Sequence, residues 1–497
     1  MVFAIYVATL FPGLAGIRDS PKLQFVGRVL GTPHSPGYPL YVCLSWVFSH
    51  LPIGTVAYRI NLMSAVFGAA SVGLLAWLLA LLGCRPVSAF AAALAFGLGR
   101  VYWSQAIIAE VYTLNAALFL LMLCALSAWS RSGRERDLLL ASAAFALGLA
   151  HHPTMWVTAP AAAVFVLATD RSILRRPRLL VAVALVLGAG LSMYGFIWLR
   201  TVQQAPFLEI SASSLGGLVR VLRGDQFEAY FFRFTWSDIW QARVPLVSGW
   251  IAGELGPVGL LAAAAGLVVL WRRSWRTALL LALVFLAVAG LALENSASDV
   301  EVFLILPMLT VWVFAGVGLD RGLTWLEDRR LPDWMPPVVT RGALAGLALV
   351  LPGSLIAANL GVNNERAHRF EMDYFEALFR QLPGPTAFVE EDHHIVTSMV
   401  RYKVFGERAG PYPDVRLIRP DRRAVEAQRA AGVDVYAFPA SRLVLEAQGV
   451  EFEPVSFELP FPASSQHVYD ADLEPLTRGL WRATGGRGPL TMFAGFQ

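Results

Sequence analysis

Eleven apolar runs constrain this chain more than any other feature: 1–16, 60–82, 87–104, 111–129, 137–150, 153–168, 178–199, 250–271, 275–293, 301–319 and 342–361. Most approach or reach the roughly 17–25 residues that a helix needs to span a bilayer. The pair 137–150 and 153–168 is short, and its members meet at a proline break, His151-His152-Pro153. The first run has no basic leader and no small-residue cleavage site, so it reads as a retained helix rather than a cleaved signal. It is also short for a span, which leaves room for an upstream start. Hydrophobic residues make up 56% of the chain and charged residues 15%, against about 45–50% and about 25% in soluble domains. That excludes a soluble enzyme, a disordered chain and a fibrous one, and the reading is an α-helical polytopic membrane protein with about eleven spans.

Orientation follows from the positive-inside rule. The short Arg-rich loops are Arg131–Arg136, Arg171–Arg178, Arg272–Arg276 and Asp320–Arg341. A cytoplasmic N-terminus puts all four on one side and leaves the C-terminus outside. The other face then carries the first loop (17–59), the Glu110 turn, the His151-His152 turn, the 200–249 loop, the 294–301 turn and everything after about residue 362. Within the first loop, Tyr38–Leu51 is apolar enough to lie on or dip into the membrane as a helix.

The expected division is a transmembrane domain over 1–362 and an outer domain over 363–497. About half of the acidic residues follow position 363. Strand-like runs at Thr386–Val389, Val415–Ile418 and Val433–Phe438 alternate with helical stretches such as Arg422–Ala431, which suggests a small α/β domain. It has no phosphate-loop glycine motif, so nucleotide binding is not indicated. The three cysteines rule out a disulfide framework, and no Cys/His set has zinc-ligand spacing. A net charge of +4 does not suggest nucleic-acid binding. The basic residues are almost all Arg, with Lys22 and Lys403 the only lysines, a bias that reads as genome composition rather than function.

Ionisable residues at membrane depth are costly and mark functional sites by default. Here they gather on one side. Asp19 follows the first run, where it reads either as a general base or metal ligand, or as a helix N-cap before Ser20-Pro21. His34 sits in a loop stiffened by three prolines and two glycines, Gly31-Thr32-Pro33-His34-Ser35-Pro36-Gly37-Tyr38-Pro39; it is either a phosphate or proton contact or a bonded loop histidine. Glu110 is either functional or an interface anchor, and Trp103 and Tyr112 fit an aromatic belt. Adjacent histidines on a helix point in different directions, so at most one of His151 and His152 is expected to line a cavity, and joint metal binding is not expected. Arg200, Arg220, Arg223 and Arg233 suit phosphate oxygens, or snorkel to headgroups. Asp299 and Glu301 open the tenth run as acids or as caps.

These residues also carry a resemblance. Asp19-Ser20-Pro21, then His34-Ser35-Pro36-Gly37-Tyr38-Pro39-Leu40-Tyr41, then Asn61-Leu62-Met63-Ser64-Ala65 resemble the opening of a domain-of-unknown-function family of bacterial polytopic membrane proteins. That family is related to an animal O-mannosyltransferase acting on plexin-type receptor domains. Trp103-Ser104-Gln105-Ala106 with Glu110-Val111-Tyr112, Gly148–His152, Leu199-Arg200 and Arg223–Phe227 extend the match in order. So do Leu382–Asp392 and Pro413-Asp414-Val415. Three features depart from the pattern: Lys22 stands where the family usually has Glu, Ser35 follows His34 in place of Pro, and an Asn-Trp-Gly after the Arg200 region is missing.

The resemblance implies a GT-C glycosyltransferase fold in a bacterial inner membrane, with the C-terminal domain on the periplasmic side. It implies transfer of a sugar, such as mannose, from a polyprenyl-phosphate donor to a protein, glycan or lipid acceptor. Asp19 would be the general base, and Glu110 would orient it or a sugar hydroxyl. His34, Tyr38, His151, His152, Arg200 and Arg223 would bind donor phosphate or substrate. No cofactor follows from the sequence, though a divalent ion is compatible with it. The competing classes are a lipid transporter or flippase, which would show paired broken helices in two related halves, and a non-catalytic scaffold of the same fold.

Overall fold

In the computed structural model, residues 1–328, 337–390, 394–407, 414–458 and 480–486 are described. Asp392, Pro413 and residues 329–336 of the Asp320–Arg341 loop lie outside them.

Each apolar run contains helix, because a backbone in hydrocarbon has no water to bond and must pair its own N–H and C=O groups. Six helices are long and apolar enough to cross a membrane among the described residues: Val56–Leu81, Tyr112–Ser132, Pro177–Val202, Trp236–Leu293, Ile305–Asp328 and Gly342–Asn359. Trp236–Leu293 holds two of the expected runs, parted by non-helical backbone at Ser274 (φ −154°), within the arginine-rich stretch Arg272–Arg276. Shorter apolar helices occupy Pro39–Ser49, Pro86–Gly97 and Thr154–Thr169. The first run gives only the eight-residue helix Val2–Thr9. That rises about 12 Å, against about 30 Å of hydrocarbon. The fold is that of a multi-pass helical membrane protein with a small α/β portion near its C-terminus.

The chain folds into two compact units, each drawn from separated stretches of sequence. The first comprises 1–10, 30–48 and 61–366. Its polar side chains close helix ends. Glu254 is buried and accepts the Val101 N–H at 2.6 Å, where run 87–104 breaks between Pro86–Gly97 and Arg100–Ala106. Asp320 accepts from the Arg85 N–H at 3.0 Å and the Ser88 hydroxyl at 2.9 Å, starting Pro86–Gly97. Arg243 donates to the carbonyls of Ala292 (3.0 Å) and Leu293 (3.1 Å), ending Val244–Leu293. These groups satisfy the backbone donors and acceptors that a helix leaves unpaired at its ends.

The second unit comprises 11–29, 49–60 and 367–497. The short strands β1 (Thr386–Val389), β2 (Val415–Ile418), β3 (Asp434–Ala437), β4 (Val450–Pro454) and β5 (Trp481–Gly486) form one sheet in the order β2-β1-β3-β5-β4. β1 pairs in parallel with β2 and β3, while β5 runs antiparallel to β3 and β4. Ala387, Val389, Val435 and Ala437 meet Val425 and Leu445, from the helices Arg422–Ala430 and Pro439–Ala447, in a small core. The two first-loop segments fold with this unit. Phe25 packs on Phe405 (centroids 5.8 Å apart), and the Ala57 N–H donates to the buried Tyr402 hydroxyl at 3.0 Å.

The close approach of Trp236–Leu293 and Ile305–Asp328 depends on two glycines. A Cβ on Gly266 would stand 1.8 Å from the Phe314 carbonyl oxygen, and one on Gly318 would stand 1.8 Å from that of Ala262. Small residues of this kind let membrane helices touch backbone to backbone. Because the obstacle is backbone, no rotamer change relieves it. Gly266→Val should destabilise the protein by about 1–3 kcal/mol, lowering the melting temperature in detergent. Gly290→Ala, which meets nothing within 4 Å, should not lower it.

Candidate functional site

In the first unit the proline-rich loop is strapped down before any side chain is considered. Thr32 N–H donates to the Phe207 carbonyl (3.0 Å), Glu209 N–H donates to the Thr32 carbonyl (2.8 Å), and the Thr32 hydroxyl reaches the Ile210 carbonyl (2.6 Å). Glu209 accepts the His34 N–H at 3.0 Å, Gln226 accepts the Ser35 N–H at 3.1 Å, and the Ser35 hydroxyl donates to the Val221 carbonyl. The Ser35-Pro36 peptide is cis. Gly37 (φ 83°) then turns the chain, and Tyr38 follows it in the left-handed region (φ 43°), which non-glycine residues seldom adopt.

That turn places His34 Nε2 and the Tyr38 hydroxyl 3.0 Å apart. The Tyr38 ring centroid is 6.2 Å from both His151 and His152, Tyr41 stacks on His151 at 6.3 Å, and Tyr112 lies 5.5 Å from His152. The structure therefore brings His34, Tyr38, His151 and His152 into one buried cluster. Both adjacent histidines enter it, 6.3 Å apart, because the chain between Glu135–Leu149 and Thr154–Thr169 is a turn and not a continuous helix.

Hydrogen bonds assign the tautomers of the neutral rings. His151 donates from Nε2 to the Val111 carbonyl at 2.8 Å, which leaves Nδ1 as the acceptor. Asn115 donates to the Thr154 hydroxyl (2.8 Å), and that hydroxyl donates to His152 Nδ1 (2.8 Å), so Nε2 of His152 carries the proton. Burial pushes His151 down to about 4 and His152 down to about 3, the latter also repelled by His151 and His34. Both are neutral at pH 7. His151 Nδ1, the Tyr41 hydroxyl and Asn115 Oδ1 are buried and make no hydrogen bond among the described residues.

The remaining predicted residues of this unit are placed differently. Glu110 is buried, and its N–H donates to the Ser64 hydroxyl at 3.2 Å. Arg200 holds the Leu30 carbonyl (2.7 Å) and the Gln203 side chain (2.5 Å), beneath the start of the proline-rich loop. Arg223 pairs with Asp225 at 3.0 Å but leaves 68% of its side chain exposed.

Asp19 belongs to the second unit. It sits before the helix Ser20–Val26 but makes no side-chain cap bond. Its carboxylate instead meets Lys22 Nζ at 2.9 Å. The backbone leading to it is held from behind. Gln24 accepts the Ala15 N–H (3.2 Å) and donates to the Gly13 carbonyl (3.0 Å). Glu371 accepts the Gly16 N–H at 3.0 Å and bonds His368 Nε2 at 2.7 Å. Thr154, Asn115, Glu209 and Glu371 carried no sequence signal, since each acts through a partner distant in the chain.

Comparison with known proteins first defines the fold class, GT-C. The chain superposes on ArnT from Cupriavidus metallidurans, solved bound to undecaprenyl phosphate, with TM-score 0.58 and 14% identity over 92% of this chain and 94% of that one. It also superposes on an oligosaccharyltransferase from Archaeoglobus fulgidus, tethered with an acceptor peptide, with TM-score 0.50 and 12% identity over 93% of this chain and 73% of that one. The narrower likeness is in sequence: residues 19–174 match the model of the protein O-mannosyl-transferase TMEM260 N-terminal domain. The mouse protein O-mannosyl-transferase TMEM260 is 37% identical over 152 residues, 30% of this chain. A Dictyostelium discoideum counterpart is 32% identical over 133 residues, 25% of this chain. The match spans 21% and 15% of those relatives' lengths. The matched segment begins at Asp19 and contains His34, Tyr38, Glu110, His151 and His152, while Arg200 and Arg223 lie beyond it.

Histidines that are neutral in the fold and ordinary when unfolded (about 6.5) make stability depend on pH. Below about 6.5 the unfolded chain takes up protons that the folded chain does not, so stability is lost as pH falls toward the folded values. Melting temperature should fall between pH 6.5 and 4, and His152→Gln should flatten that slope.

Proposed function

We propose that this chain is a membrane glycosyltransferase. It moves a hexosyl group such as mannose from a polyprenyl-phosphate donor to an acceptor hydroxyl, with Asp19 as general base. The observation that carries the proposal is the ionised-pair geometry of Asp19 at the head of the O-mannosyl-transferase-like segment: the carboxylate is anchored on Lys22, yet 35% of its side chain stays exposed. The GT-C fold and the undecaprenyl phosphate in the ArnT structure support the donor class.

In the proposed step the acceptor O–H loses its proton to Asp19 as its oxygen attacks the anomeric carbon. The bond from that carbon to the phosphate oxygen breaks on the opposite side, and the anomeric configuration inverts. Polyprenyl phosphate leaves with the bonding pair. His151 and His152 are neutral in this structure, so the contribution assigned to them is hydrogen bonding. Their imidazoles, with the Tyr41 hydroxyl and Asn115, suit the hydroxyl groups of a sugar, and Glu110 would orient one of them. Arg223 is the guanidinium available to the phosphate, since a surface pair such as Arg223–Asp225 is weakly held. Arg200 serves the site by fixing Leu30, next to the loop it supports. The reaction would take place on the periplasmic face of a bacterial inner membrane, with the C-terminal α/β portion choosing among protein, glycan and lipid acceptors.

Asp19→Asn should lower transfer from a radiolabelled polyprenyl-phosphate hexose by about 10²–10⁴-fold, while binding of the donor in nanodiscs is unchanged. Equal transfer by variant and wild type would remove Asp19 from the chemistry. Movement of intact donor across the bilayer without transfer would replace the enzyme reading with a flippase.

A further inference from the structure

The chain just before and into the start of Trp236–Leu293 carries aromatic surface that neither the core nor the proposed step uses. Phe232, Trp236 and Trp240 are 80%, 75% and 57% exposed, and Tyr230 is exposed as well. The two indoles meet edge to face, with centroids 5.8 Å apart. Large apolar side chains gathered in this way on a surface mark contact with a protein or a membrane.

Backbone and side-chain bonds fix the level of this patch from two directions. The Ser296 N–H donates to the Tyr230 carbonyl at 2.8 Å, and the Phe232 N–H donates to the Glu294 carbonyl at 3.3 Å. Phe231 and Asn295 are thereby bridged, just past the end of the apolar helix at Leu293. On the other side Arg243 bonds the Ala292 and Leu293 carbonyls, and its guanidinium lies 4.7 Å from the centroid of the Phe234 ring. Trp240 and Trp236 precede Arg243 by three and seven residues, so they stand at most about 5 and 11 Å of helix from that level. The polar layer of a bilayer reaches about 5–8 Å beyond the hydrocarbon on each side. The patch therefore begins where an apolar helix ends and crosses the layer in which Trp and Tyr rings are enriched.

Charge and continuity favour lipid over protein. Arg233 is exposed between Phe232 and Phe234, which sets a phosphate-binding guanidinium among rings. Asp238 spends its carboxylate on the Thr235 N–H (2.9 Å) and hydroxyl (2.7 Å), capping the helix that presents the indoles. Further along the same helical stretch Leu246, Val258 and Leu261 are exposed, so the patch continues an apolar surface that hydrocarbon would cover. A protein docked on both would have to sit across the boundary of the bilayer.

We propose that Tyr230–Trp240 is an interfacial anchor whose aromatic rings are seated in the phospholipid headgroup layer, with Arg233 against lipid phosphate. Phe227 stands between Tyr230 (6.1 Å) and His34 (5.5 Å), so the anchor also ties the buried cluster to that depth. The proposal goes beyond the glycosyltransferase reading and does not depend on it.

The test uses the full chain in nanodiscs of phosphatidylcholine and phosphatidylglycerol. Nitroxide labels at Phe232→Cys and Trp240→Cys are placed in a Cys43→Ser background, the other two cysteines being buried. Relaxation by oxygen and by a water-soluble nickel chelate should place both labels in the polar layer, no more than about 8 Å outside the hydrocarbon edge. In the unmodified protein, a phospholipid with a diazirine in its headgroup should crosslink to residues 228–243, and one with the diazirine at its acyl terminus should mark the spans instead. Labels fully open to the chelate would overturn the proposal, as would labels shielded from both relaxants by a protein contact. Headgroup crosslinks that mark other parts of the chain but skip 228–243 would also overturn it. If a cysteine variant does not fold, the crosslinks decide by themselves.

Discussion

Hydrocarbon offers no partner to a backbone N–H or C=O, and the rest of this structure follows from how the chain meets that demand. Helices satisfy it along the spans, and buried side chains satisfy it at several helix ends. Glu254, Asp320 and Arg243 are ionisable residues that a default reading would make functional. Each instead closes the start or end of a helix. Irregular backbone is thereby confined to turns between helices, and the candidate residues of the first unit stand in or beside such turns. His34 and Tyr38 precede Pro39–Ser49, Glu110 precedes Tyr112–Ser132, and His151 with His152 precede Thr154–Thr169.

The two compact units separate two kinds of chemistry. The cluster in the first unit gathers neutral groups: imidazoles with their protons assigned by hydrogen bonds, tyrosine hydroxyls and an amide. Burial keeps His151 and His152 uncharged, so the bonds open to them depend on direction of donor and acceptor rather than on field. The second unit holds a fixed charge pair, Asp19 with Lys22, behind which Glu371 and Gln24 pin the backbone. The Lys22 ammonium at 2.9 Å holds the Asp19 carboxylate in place.

Much of the fold was legible in the sequence because spans and strands are written in local periodicity and length. β1 to β3 fall within a residue of the expected strands, and the helix Arg422–Ala430 within one of its expected end. β4 and β5 were not legible, since an antiparallel pair completed across distant sequence leaves little local mark. The cluster of His34, Tyr38, His151 and His152 was legible as a set of suspects and not as a cluster. Their proximity depends on the strap from 207–226, whose bonds run to backbone atoms. The cap expected for Asp19 gave way to an ion pair, because Lys22 on the same turn offers its carboxylate a stronger partner than a backbone N–H.

By itself the sequence determined that this chain crosses a membrane many times, carries a small α/β portion after its last long apolar helix, and begins its O-mannosyl-transferase-like segment at Asp19. Apolar length, strand pattern and motif order are local properties, and they need no tertiary contact to be read. Tertiary structure alone decided which acids cap helices, which histidines are neutral and which nitrogen holds their proton, and that Asp19 is held by an ammonium. Those outcomes depend on burial and on distances between residues far apart in the chain, which no local pattern encodes.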